Sequence, residues 1–368
     1  RFRDPFYQII RTTMKALIVT NMYPSDSLPY SGVFIKAQYD YLQKNISTQD
    51  KVDIFYMRQV ISQGVFTYLK YLMAYIRFIP HLLKKYDVIH VHFLGMLAPV
   101  AAIYKFFHPG AQTIVTLHGG DVNSDMPEEG AKNRFFRKLI KKFDLVIPVG
   151  PSLHEPLKRK LDADPNNTIC AGVDHQHFFP LNIEKKYDFV VVGSFLPVKG
   201  LDLLVEALNH PDSDPIRICF VGNGPLEPLL HELKGKHKVT ILKNKSHDEL
   251  REIYNQSKFL LFTSVGDAFG LVVTEAIFCG TPAIVSKNGG GAHQIIPGVN
   301  GFVYHENSVE AIREAIAIAN KVSPECYKNL RKTTADTNHQ FALQTVCQVY
   351  YNYYIHAEKH RGFELLTS

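Results

Sequence analysis

A repeated unit restricts this chain more than any other feature: a short run rich in Val, Ile, Leu and Phe, a loop carrying glycine or proline, then helical spacing. Residues 15–20 (KALIVT) lead through Asn21–Pro24 into Ser31-Gly32-Val33-Phe34, and helical spacing follows over 35–43. Apolar runs return at 52–56, 87–92, 113–118 and 144–149. They restart at 187–192, 216–221, 239–242, 259–263 and 283–285, with helical spacing over 201–209, 248–256 and 271–278. Runs so short and so continuously apolar predict buried strands in parallel sheets covered by helices. The expected fold class is α/β, with two doubly wound Rossmann-like domains.

A chain of 368 residues exceeds one ordinary core and fits two domains. The expected division is 14–180 for an N-terminal domain and 186–343 for a C-terminal domain. Between them lies the proline-marked polar joint 178–186. The segment 344–368, helical and tyrosine-rich over 344–361, is expected to cross back to the first domain. Met14 directly precedes the first strand, so residues 1–13 read as a leader outside the fold. No stretch reads as a transmembrane helix. Cys170, Cys219, Cys279, Cys326 and Cys347 are scattered without zinc-like spacing, which points to reduced thiols and a cytoplasmic protein.

The net charge of +6 is uneven: residues 1–180 hold 22 Lys and Arg against 15 Asp and Glu, the remainder 19 against 20. No zinc finger or basic-aromatic RNA motif accompanies the excess, so nucleic acid is not an expected partner. An anionic membrane surface or a phosphate-bearing acceptor fits better. Residues 133–143 (NRFFRKLIKKF) read as an amphipathic basic helix, with Phe135, Phe136, Leu139, Ile140 and Phe143 on one face. That pattern suits peripheral attachment to the inner face of a membrane, and equally a helix packed on its own sheet. The helical stretch 65–85 carries Lys70, Arg77, Lys84 and Lys85 among aromatics, and it too reads as a core helix or a membrane-facing one.

Residues 264–291 (SVGDAFGLVVTEAIFCGTPAIVSKNGGG) concentrate the chemistry. Gly270 lets the backbone approach a ligand, and the helix starting at Leu271 would aim its first N–H groups there, an anion site. Asp267 and Glu275 flank that turn eight residues apart, and Gly289-Gly290-Gly291 offers a second loop of N–H donors. The pattern points to a phosphorylated, hydroxyl-rich ligand. His118-Gly119-Gly120-Asp121 ends a strand where open α/β sheets bind ligands; a plain glycine turn is the competing reading. His90 and His92 share a strand face, packed or substrate-facing, without metal-ligand spacing. Gly222-Asn223-Gly224 lacks the third glycine of a dinucleotide fingerprint, and Lys199-Gly200 lacks the order of a P-loop.

In order and spacing these motifs resemble the family 4 (group 1) glycosyltransferases over roughly residues 14–360. The strongest part is the stretch around Asp267 and Glu275, similar to the family's E-x7-E signature with its Gly-Thr-Pro turn and glycine loop. Tyr23-Pro24 through Phe34, His118–Asp121, Gly172-Val173-Asp174 with Phe178 and Pro180, and Gly193 through Lys199-Gly200 follow the same order. The resemblance implies a GT-B fold, two Rossmann-like domains facing across an interdomain cleft, with a UDP- or GDP-linked nucleotide-sugar held mainly by the second. It implies a retaining hexosyl transfer to a glycan or lipid-linked acceptor in polysaccharide or glycoconjugate assembly, with no metal or other cofactor. Glu275 would bind the ribose hydroxyls. Asp267 would meet the donor sugar, Lys199 the diphosphate, and the N–H groups of Phe269, Gly270 and Leu271 its oxygens. His118 would lie near the anomeric centre and Gly32 beside the diphosphate. His118, Asp267 and Lys199 are the expected catalytic set. Asp267 stands where the family usually has Glu, and Ser194 where an arginine commonly accompanies the lysine. Those departures leave open a non-catalytic sugar-binding homologue, beside an epimerase or phosphorylase on the same fold.

Overall fold

The computed structural model describes residues 13–25, 28, 31–57, 65–233 and 235–356. The chain folds into two compact units. The first takes the chain up to Leu117, Arg134–Ile147, and everything from Cys347 on; the second takes His118–Asn133 and Pro148–Val346. The units therefore exchange chain segments, whereas the sequence reading divides the chain at 180–186 and again at 343/344.

The first unit contains β1 (Lys15–Thr20), α1 (Val33–Asn45), β2 (Lys51–Tyr56), α2 (Val65–Leu82), β3 (Val88–His92), α3 (Pro99–Phe107) and β4 (Gln112–Leu117). After them come α4 (Ala131–Ile140) and β5 (Leu145–Pro148). Its sheet runs β2-β1-β3-β4-β5. β1 pairs in parallel with β2 and β3, and β3 with β4. Every residue of β3 and β4 is buried, as strands covered on both faces require. Strand order reverses between β1 and β3, which opens a crevice at their C-terminal ends. Phe93, just past β3, holds φ at 73°, a conformation that an aromatic residue adopts only under constraint.

The second unit holds α5 (His154–Leu161), β6 (Tyr187–Val192), α6 (Leu201–Asn209), β7 (Arg217–Val221), α7 (Glu227–His231), β8 (Lys238–Leu242), α8 (His247–Gln256) and β9 (Ser257–Phe262). It continues with α9 (Leu271–Phe278), β10 (Ala283–Ser286), β11 (Gly301–Tyr304), α10 (Val309–Asn320) and α11 (Pro324–Ala335). The sheet order is β11-β10-β9-β6-β7-β8, all parallel. The period of two along each strand sends side chains alternately to two cores. Phe189, Val191, Phe220 and Leu261 face α6 and α10, while Val190, Val221, Leu260 and Phe262 face α8 and α9. The reversal falls between β6 and β9, so the ligand crevice of this unit lies beyond those two strands.

The last helix, α12 (Leu343–Ile355), belongs to the first unit from Cys347 on. Its buried Tyr354 hydroxyl lies 2.6 Å from His90 Nδ1, and His90 Nε2 lies 2.8 Å from Thr116 Oγ1. Thr116 Oγ1 in turn lies 3.1 Å from the Tyr350 hydroxyl. His90 thus keys a helix onto the sheet, and burial pushes the neighbouring His92 down to about 3, so that it stays neutral. Both histidines are packing groups, the first of the two readings left open for them.

The helix offered to a membrane on sequence grounds is used otherwise. Phe136, Leu139, Ile140 and Phe143 are buried in the protein, and of that apolar face Phe135 is left exposed. α4 presents charge outward and packs its apolar stripe inward.

Tyr354→Phe deletes the hydroxyl between α12 and His90 without changing the ring. A loss of about 1 kcal/mol is expected, read as a lower urea midpoint at constant slope. An unchanged midpoint would show that the contact contributes nothing to holding α12.

Candidate active site

Three loops meet beyond the C-terminal ends of β6, β9 and β10. The β6 loop ends in Val198-Lys199-Gly200, and the β9 loop is bonded along it. Val265 N–H and the Ser264 hydroxyl donate to the Val198 carbonyl at 3.3 and 3.2 Å, and the Thr263 hydroxyl donates to the Lys199 carbonyl at 2.7 Å. With both backbones held, the side chains converge: Lys199 Nζ lies 2.5 Å from Asp267 Oδ2. The pair is 22% and 29% exposed, open to a ligand yet partly shielded from water. Asp267, although shorter than the glutamate usual in the resembled family, reaches the lysine.

Gly270 begins α9 at φ 81°, a left-handed start that admits few other residues, and no side chain caps the helix. First-turn N–H groups without a side-chain cap leave a concentration of positive dipole at this end. The turn is clamped by Gln294, which is buried. Its Nε2 donates to the carbonyls of Phe269 and Gly270 at 2.7 and 3.2 Å, and its Oε1 accepts from the Thr274 hydroxyl at 2.7 Å. Gln294 escaped sequence reading; its one signal is an amide among apolar residues just after the glycine run.

Glu275 lies about one turn into α9 and accepts from the buried Tyr254 hydroxyl at 2.7 Å. Burial pushes its carboxyl up to about 7, against the opposing pull of the Tyr254 hydrogen bond. Burial raises the Tyr254 phenol as well, so it stays a neutral donor. Tyr254 is a second residue that the sequence reading missed.

The glycine loop does other work than expected. The Gly289 N–H donates to the Ser286 carbonyl at 3.0 Å, and a Cβ at Gly290 would sit 2.0 Å from the Asp267 carbonyl oxygen. These glycines let the β10 loop press against the backbone that carries Asp267.

The His118–Asp121 turn lies in this same unit. Buried Asp121 accepts from the N–H groups of His118 and Gly119 at 3.0 and 2.9 Å, so the carboxylate closes the turn. A Cβ on Gly119 would lie 2.8 Å from the Cβ of Ala268, and the Ser152 hydroxyl donates to the Ala268 carbonyl at 2.9 Å. The residue next to Asp267 is therefore packed against the turn that holds half-buried His118. Gly32 belongs to the first unit, where it starts α1 at φ 67° with space for no Cβ against the Met22 carbonyl. The structure thus gathers Lys199, Asp267, Phe269, Gly270, Leu271 and Glu275 at one strand reversal and brings the His118 turn beside them. Among the described residues no three His, Cys, Asp or Glu side chains are grouped as a metal site.

Two family models match the chain: "Glycosyltransferase Family 4" over residues 46–177 and "Glycosyl transferases group 1" over 173–336. Among curated proteins it is 28% identical over 266 residues to an uncharacterized glycosyltransferase of Methanocaldococcus jannaschii, covering 70% of each chain. It is 24% identical over 287 residues to N-acetyl-alpha-D-glucosaminyl L-malate synthase of Bacillus anthracis, covering 73% of this chain and 74% of that protein. Among solved structures, sucrose-phosphate synthase from Thermosynechococcus elongatus superimposes with a TM-score of 0.73 at 19% identity, over 93% of this chain and 98% of that one. The Anabaena protein Alr3699/HepE in complex with UDP and glucose gives 0.66 at 18%, over 92% and 98%. At such identities the structural likeness speaks for the fold, which is GT-B.

The Glu275 carboxyl titrates near 7 in the folded chain and near 4.5 when unfolded. It therefore does not disfavour folding below pH 4.5, disfavours it increasingly as pH rises towards 7, and does so fully above 7. Glu275→Gln keeps an acceptor for Tyr254 and removes the charge. It is expected to stabilise the protein by about 1–3 kcal/mol at pH 8 and by little at pH 4. Thermal melts at the two pH values decide; an equal effect at both would mean that the carboxyl is not desolvated.

Proposed function

Because this chain belongs to the group 1 glycosyltransferases, we propose that it moves a hexosyl group from a UDP- or GDP-linked sugar to a glycan or lipid-linked acceptor, with retention at the anomeric carbon. One observation carries the reading: the Lys199–Asp267 pair lies at the strand reversal of the second sheet, beside the uncapped start of α9 and one helical turn from Glu275. That array suits each part of a nucleotide-sugar. Anionic phosphate oxygens match Lys199 and the N–H groups at the start of α9. Ribose hydroxyls match the Glu275 carboxylate, which Tyr254 holds in place.

The chemistry follows from charge. Breaking the bond from the anomeric carbon to phosphate leaves positive charge on the sugar and negative charge on the diphosphate. Lys199 and the oriented N–H groups offset the latter, a role that fixed donors perform without reorganising. On donor binding Lys199 would pass from Asp267 to the phosphates, which frees Asp267 to accept from a sugar hydroxyl. His118, on the turn closed by Asp121, would border the anomeric centre. With a lysine countering the diphosphate, we take transfer to be independent of metal.

The names of two similar proteins, N-acetyl-alpha-D-glucosaminyl L-malate synthase and sucrose-phosphate synthase, point to unlike products, so the acceptor is read from this chain's own surface. For this chain the basic first half supports an acceptor in glycoconjugate or polysaccharide assembly at an anionic membrane surface. The mode we propose is peripheral attachment; no helix among the described residues is long and apolar enough to cross a membrane. The free cysteines, four of them buried, support a reducing, cytoplasmic setting.

A screen of nucleotide-sugars by calorimetry, followed by NMR of the product's anomeric configuration, tests the reading. Absence of binding to every nucleotide-sugar sinks it, and an inverted product would overturn retention. Lys199→Ala is expected to lower kcat about 100-fold or more, since the leaving diphosphate loses its cation, while EDTA leaves the wild-type rate unchanged. A Lys199→Ala enzyme of normal rate would remove the lysine from the mechanism.

A further inference from the structure

We propose that the outer face of α2, joined by the C-terminal end of α3, is a docking surface for an anionic phospholipid bilayer, with the helix lying in the plane of the interface. This gives the peripheral-membrane reading a surface, and it replaces α4 in that role.

α2 is apolar all round, which an ordinary surface helix is not. One face is buried through Ala74 and Phe78. The opposite face repeats at helical spacing with Leu69, Leu72, Met73, Ile76 and Ile79, and Leu83 follows just past the helix end; all are exposed, Leu72 at 56% and Leu83 at 86%. The stripe extends onto the neighbouring helix, since the Tyr75 hydroxyl bonds the carbonyl of exposed Met96 at 2.8 Å, just before α3. α3 adds Phe106 and Phe107, exposed at 80% and 60%. An exposed apolar surface of this extent marks an interaction site.

Charge selects the partner. Lys70 and Arg77, seven residues apart on α2, share one border of the apolar stripe, and Lys84 follows just past the end of the helix. Among the described residues no carboxylate pairs with them. Between Asp53 and Asp121 the sequence has one acidic residue, Asp87, and its carboxylate accepts from the Lys15 N–H. An apolar face bordered by cations, with aromatic rings at its end, is the pattern that sinks into the boundary of headgroups and acyl chains while its cations meet lipid phosphates. A second copy of this chain fits worse, because it would bring the same cations and no acids to meet them. The one-sided burial of α2 and the cations along it suit a helix lying on a bilayer, not one spanning it.

The chain contains no tryptophan, so one introduced indole reports alone. In the full chain, Leu72→Trp is expected to shift its emission to the blue, and to be quenched by brominated acyl chains, with vesicles of phosphatidylcholine and phosphatidylglycerol. Phosphatidylcholine alone should give little change. Phe135→Trp on α4 should stay unchanged with either vesicle. Adding Lys70→Glu, Arg77→Glu and Lys84→Glu to Leu72→Trp should weaken vesicle binding about tenfold or more, with circular dichroism unchanged. No shift with anionic vesicles overturns the proposal. So does a shift that appears without lipid and grows with protein concentration alongside a dimer in sedimentation, or a response of Phe135→Trp in place of Leu72→Trp. Thermal shift with nucleotide-sugars on the same sample keeps the donor-site reading separately testable.

Discussion

β6 and β9 are paired neighbours in the second sheet, and the strand order reverses between them, so their following loops lead towards opposite faces. The β9 loop is bonded along the β6 loop through Thr263, Ser264 and Val265. That lacing sets the distance between Lys199 and Asp267. Glycines in the β10 loop then allow a third backbone to close against Asp267, and Gln294 ties the start of α9 to the same assembly. The site is therefore a consequence of strand order, completed by close backbone packing that side chains larger than hydrogen would prevent.

Much of this was legible because glycine and proline mark the ends of elements. β1, β6, α6 and α9 occupy the bounds read from the sequence, each closed by a glycine, a proline or a sharp change of spacing. α3, by contrast, is nine residues of nearly unbroken apolar character, for which strand and helix look alike. α10 and α11 lie beyond the motif-rich stretch and carry no glycine loop to announce them, and β11, after the Pro297–Gly301 turn, is four residues long. The clamps were harder still. Gln294 reaches back 25 residues to Phe269, and Tyr254 reaches forward 21 to Glu275. Such bonds depend on which loops the fold brings together, and no local pattern encodes them. Asp121 was visible as a flank of the glycine turn, while its role as acceptor for two N–H groups needed coordinates.

Two helices of the first half with basic residues, α4 and α2, show how pattern and use separate. α4 has the sharper division into apolar and charged sides, and its apolar side is buried. α2 is apolar on both sides and so looks like a core helix, yet it is buried on one side, through Ala74 and Phe78, and leaves the other side exposed. Amphipathicity states that a helix has an inside; it does not state whether that inside belongs to the protein. Burial of the strands beneath, complete in β3 and β4, settles which face each helix must supply.

The ion pair at the centre of the candidate site has a further meaning. Asp267 occupies the cation that a phosphate would seek, so any anion entering the crevice meets competition from within the protein. A ligand that offers only charge must displace the carboxylate and leave it without a partner. A ligand that also offers hydroxyls gives the displaced carboxylate donors of its own. On the proposed reading the pair would act as a two-key lock: phosphate alone or sugar alone would turn one key, and a molecule joining both would turn the two together.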